Sequence, residues 1–122
     1  MNKIIFALLV VLFAPAVLQA HPPKAITVEF DNGTKELAVT ISHYVDDPVR
    51  HHIEKIVVEL NGEEIITQKL KVQEIKGEQR ALYLITDAVE GDSISVTGYC
   101  SIAGKKKVTI DVVAPENKDT EE

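Results

Sequence analysis

The chain has 122 residues, a formal net charge of −6 and 45% hydrophobic content, enough for one domain around one core. Its acidic balance leaves no general basic surface to neutralise phosphates, so nucleic acid is excluded as an expected partner. A single cysteine, Cys100, cannot form a disulfide within the chain.

Met1-Asn2-Lys3 is a short positive start, followed by an unbroken apolar run from Ile4 to Phe13. Ten apolar residues are too few to span a bilayer, which takes about 20. With Ala14-Pro15 breaking the run and Ala20 before His21, residues 1–20 read as a secretory signal peptide. Cleavage after Ala20 is expected, with Ala16 as the competing point. The remaining chain is then not an integral membrane protein, is exported to a periplasmic or secreted location, and starts at His21 with 12 Lys and Arg against 19 Asp and Glu.

From there apolar residues alternate at a spacing of two, the mark of half-buried strands. Ala25 to Phe30 is the first and ends at Asp31-Asn32-Gly33, a tight-turn sequence. Glu36 to His43 and Ile53 to Leu60 follow, the latter closed by Asn61-Gly62. Ile65 to Val72, Ala81 to Thr86, Ser93 to Cys100 and Lys106 to Val113 complete seven. Seven short strands and no helical period predict an all-β, immunoglobulin-like sandwich of antiparallel strands over residues 21–114. The charged tail 115–122 lacks aliphatic residues and is expected to be disordered.

Three of the four histidines, His43, His51 and His52, fall within ten positions. Side chains two apart on a strand point the same way. His43 therefore continues the row Leu37-Val39-Ile41, and Cys100 continues Ile94-Val96-Gly98. Both rows face the core, which places an imidazole and a thiol at its rim. Alternation sends His51 and His52 to opposite faces, so at most one joins them. Imidazole and thiolate suit soft or borderline transition metals. The ordinary roles stand beside this: a strand-end histidine is usually solvated, and a lone cysteine usually packs as a small hydrophobe. No histidine or methionine follows Cys100, which sets aside a blue-copper site. His21, if it becomes the first residue, offers an amine and a ring nitrogen that together suit copper. Its ordinary role is a flexible end.

"HHIEKIVVELNG", with "GDSISVTGYCSIAG" beginning forty residues after its first histidine, resembles the ferrous-iron-binding domain of the desulfoferrodoxin and superoxide reductase family. The resemblance extends over roughly Glu36 to Val113. It implies a seven-stranded immunoglobulin-like sandwich and an iron with four imidazoles, an axial cysteine thiolate and an open position where superoxide is reduced to peroxide. His43, His51 and Cys100 match ligand positions, while His52 stands where the family commonly has tyrosine. Ala103 replaces the family's last histidine, and no Lys-His-Val-Pro segment precedes His43. The resemblance implies iron (Fe2+), with copper or zinc as alternatives, and a small redox protein as electron donor. The competing function is an immunoglobulin-like binding or adhesion module without a metal.

Overall fold

The computed structural model describes residues 21–116; the expected signal peptide and most of the charged tail lie outside the described residues. Seven strands follow one another: β1 (Ala25–Asp31), β2 (Glu36–Ser42), β3 (Ile53–Leu60), β4 (Glu63–Lys69), β5 (Glu78–Leu84), β6 (Ser93–Cys100) and β7 (Lys105–Asp111). All pairings are antiparallel, in a three-stranded sheet ordered β1-β2-β5 and a four-stranded sheet ordered β4-β3-β6-β7. This is the all-β, immunoglobulin-like sandwich that the spacing predicts. Among the described residues no helix is long and apolar enough to cross a membrane.

The core forms where the inward rows of the two sheets meet. Leu37, Val39 and Ile41 of β2 face Ile56 and Val58 of β3 and Ile94 and Val96 of β6, all buried. Full burial of each such side chain contributes about 1.5–3 kcal/mol relative to exposure. Gly98 belongs to the same packing, since a methyl group there would lie 2.9 Å from Ile41 Cδ1. β2 needs no side-chain support at its edges because it lies between β1 and β5.

Strand bounds differ from the expectation by one or two residues at β1, β2 and β7 and by more at β4 and β5. β4 begins at Glu63 rather than Ile65 and ends at Lys69 rather than Val72. Asn61 and Gly62 both take positive φ, 52° and 83°, the two-residue hairpin turn that returns the chain at once. After Lys69 the chain leaves the ladder: Leu70 donates its N–H to Glu54, and residues 70–77 form a loop. β5 begins earlier, at Glu78, because Glu78 is already paired with Ser42.

Connections between the sheets bring the ends of β2 and β6 and the start of β3 to one end of the sandwich. The β2–β3 crossover, residues 43–52, and the β4–β5 loop close over that end. They are laced together by His43 N–H to Gly77 C=O (3.0 Å), Val45 N–H to Lys76 C=O (2.8 Å) and Gln73 N–H to Pro48 C=O (3.0 Å).

Candidate metal centre

His43, His51 and Cys100 come together at this end, with one donor atom from each within 4.8 Å of the others. They arrive by three different routes. His43 is the first residue beyond β2, and the strand-like bond to Gly77 keeps it in the inward row. Cys100 closes β6 opposite Ile53, and its N–H is held by the carbonyl of Gly104 at 2.9 Å. His51 belongs to the crossover. Its N–H donates to Asp47 C=O at 3.0 Å, while Asp47 Oδ1 accepts from Val49 N–H at 3.0 Å.

His43 is buried, and its proton position follows from Gln73, an equally buried side chain that the sequence pattern does not single out. The Gln73 amide nitrogen donates to the carbonyls of His43 (2.7 Å) and Ile75 (2.9 Å), and its oxygen accepts the N–H of Ile53 (3.2 Å). Those backbone partners fix which end of the carboxamide is oxygen. The His43 Nδ1, 2.8 Å from that oxygen, must therefore carry the proton. Nε2 is left with a lone pair, buried and without any hydrogen-bond partner. Leaving such an atom unsatisfied costs roughly 1–3 kcal/mol. Histidine ligands are oriented in this way, the far nitrogen donating to an amide or carbonyl while the near one takes the ion.

The His51 ring stands edge-on to that of His43, with centroids 4.8 Å apart, and its Nε2 lies 3.1 Å from Cys100 Sγ. Burial lowers the His51 pKa below its ordinary value, and the neighbouring His43, His21 and His52 lower it further against a smaller opposing effect of Asp46. The ring is therefore neutral at pH 7, as a ligand must be. Cys100 is 4% exposed and unpaired.

The other histidines are placed differently. The backbone of His52 is clasped to Ser101, by N–H to Oγ (3.0 Å) and by C=O from N–H (2.8 Å), and its ring sits over a shallow hollow with Lys55 and Lys69. His21 is exposed and outside the three-ligand group, yet near enough for its charge to weigh on His51. The arm that carries it lies across the same end: Pro22 packs on Gly104, and Lys24 N–H bonds Ser42 C=O at 2.8 Å. A further hollow, between the β1–β2 turn and residues 113–116, lies at the opposite end and has no histidine or cysteine in its lining.

His43, His51 and Cys100 thus form a buried group able to bind a metal ion. The site has a thiol, two imidazoles and no carboxylate, the donor set of a transition metal rather than of magnesium or calcium. No protein-family model matches the chain, and a search of curated proteins finds no match either.

Proposed function

We propose that the protein is an exported metal-binding protein of the desulfoferrodoxin-like kind, holding ferrous iron through His43 Nε2, His51 Nε2 and the Cys100 thiolate. The observation that carries this is the His43 Nε2: a buried lone pair without a partner, its tautomer set by Gln73, on a residue grouped with His51 and Cys100. Three protein ligands leave open positions, and ferrous iron there would supply the one electron that, with two protons, takes superoxide to hydrogen peroxide. This chain's residues hold the ion: Gln73 fixes the His43 ring, burial keeps His51 neutral, and Cys100 contributes the one anionic donor.

His21 supports a second reading in which copper is the ion. It stands at the same end, and a free α-amine there would add a chelating pair to the neighbourhood of His51. One experiment separates these readings. The chain from His21 onward, purified without a tag under anaerobic conditions, is titrated with Fe(II), Cu(I), Cu(II) and Zn(II). One equivalent of Fe(II) should bind, and oxidation should produce a thiolate-to-iron charge-transfer band that Cys100→Ser removes. Copper uptake that survives Cys100→Ser but not His21→Ala assigns the N-terminal site instead. A folded protein that binds none of these ions is a binding module that keeps the sandwich alone.

A further inference from the structure

The twelve basic residues beyond position 20 are not spread evenly. The loops and strand ends away from the ligands hold Asp31, Glu36, Glu63, Asp87, Glu90 and Asp92, and Lys35 is the one base there among the described residues. Lys35 is already engaged with Asn32 and the Ala88 carbonyl. The ligand end is the basic end of an otherwise acidic molecule.

On the outer face of the four-stranded sheet this charge is organised. Lys69 of β4 is opposite Lys55 of β3, Lys55 is opposite Tyr99 of β6, and Tyr99 is opposite Lys105 of β7. The four residues form one row across the whole sheet. Lys55 Nζ stands 4.2 Å from the Tyr99 ring centroid and Lys105 Nζ 5.5 Å from it. Among the described residues none of the three lysines is in an ion pair; the pairs formed there are Arg50–Asp47, Arg80–Glu74 and Lys107–Glu59. Glu54 borders the same shallow hollow as Lys55 and Lys69 without pairing to either. Like charges directly across a ladder are destabilising. Protection of exposed sheet edges explains lysines on β4 and β7 but not one on the inner strand β3.

We propose that the row Lys69–Lys55–Tyr99–Lys105 is a docking surface for an acidic protein, placed so that its partner meets the chain beside Cys100, the residue after Tyr99. With neighbouring strands about 4.8 Å apart, a row over four strands is about 14 Å long. A single small anion cannot bridge that length, whereas a strip of carboxylates on a partner can. The row carries no aliphatic side chain to enter a lipid surface. The opposite charge of the far end orients an acidic partner towards this face and repels it from the other. In the proposed function this partner is the electron donor, and only that purpose rests on the metal reading; the surface does not.

The test follows the amide shifts of the 15N-labelled chain from His21 onward, with and without Fe(II), on titration with poly-L-glutamate of about 20 residues at low salt. Saturable shifts centred on Lys55, Lys69, Tyr99 and Lys105 are expected. They should weaken at least about tenfold in Lys55→Gln/Lys105→Gln and persist in Lys24→Gln/Lys76→Gln. Orthophosphate should give no saturable shift, and vesicles of phosphatidylcholine and phosphatidylglycerol should not retain the protein. Shifts spread over all surface lysines, equal binding by both double variants, or binding to vesicles but not to polyglutamate would overturn the proposal. Binding that is the same without Fe(II) is expected, so failure of the metal site leaves this result readable.

Discussion

Removing the Gln73 carboxamide tests the centre through the residue that orients it. In Gln73→Leu the shape is nearly kept, but His43 Nδ1–H and Ile53 N–H lose their acceptor, and the carbonyls of His43 and Ile75 lose a donor. Ile75 lies in a surface loop and can turn to water. The two buried donors cannot, and at roughly 1–3 kcal/mol each they predict a loss of about 2–6 kcal/mol. For a domain of this size that lowers the melting temperature by at least about 8 °C. Against a total stability of roughly 5–15 kcal/mol the variant stays folded in the cold, where iron affinity should fall about 10–100-fold because nothing holds the His43 tautomer.

Gln73→Glu refines the test. Its acceptor oxygen can stay in place, but the other oxygen would face two carbonyls unless it is protonated. Folding should therefore raise this carboxyl's pKa. Its contribution is present below the unfolded value of about 4.3 and is lost as pH rises through the folded value. Melting by circular dichroism from pH 4 to 8 would show this relative destabilisation growing with pH. A Gln73→Leu protein melting within about 2 °C of the parent would refute the reasoning, because the satisfied donors would then not be buried in solution.

Three further predictions concern the same end of the molecule. Ala103→His adds an imidazole in the turn that Cys100 N–H and Gly104 C=O already close, so Fe(II) should bind more tightly by titration, and Cys100→Ser should largely cancel the gain. Because the His51 pKa is lowered, the unfolded chain takes up a proton first; this contribution to apo-protein stability is present above pH 6.5 and is lost as pH falls through the folded value, a loss that His51→Gln should remove from the melting profile. Gly98→Val drives a branched side chain against Ile41, which a methyl group alone would approach to 2.9 Å, and should cost about 1–3 kcal/mol in urea unfolding.

What the sequence made legible follows from the period of two. His43 and Cys100 continue the rows Leu37-Val39-Ile41 and Ile94-Val96-Gly98, and both rows are buried to their last member. Strand alternation was expected to separate His51 from His52; His51 alone reaches Cys100, but both lie in the crossover before β3, where backbone bonds to Asp47 and Ser101 rather than a strand period place them. Gln73 was invisible because it acts from a loop, where position depends on bonds to Pro48, His43 and Ile53 rather than on spacing. The lysine row was hidden for a different reason. Lys55, Lys69, Tyr99 and Lys105 are neighbours only through three independent pairing registers. The onset of β4 was misplaced because Glu63 and Glu64 do not alternate with apolar residues, although the Asn61-Gly62 turn alone starts the strand.

The three candidate ligands are held with unequal stiffness, and this bears on how they would take up an ion. His43 is locked by a buried carboxamide that is itself tied to three backbone groups, and Cys100 ends a central strand in register with Ile53. Neither needs to be ordered on binding, so neither adds much to its entropic cost. His51 is half-buried, in a crossover pinned mainly through Asp47, and ring contact with His43 is what keeps it near the thiol. A metal ion entering from the exposed side would meet this fixed imidazole–thiol pair, and His51 would be the ligand that moves to close on it. His51 would therefore be the ligand most readily released.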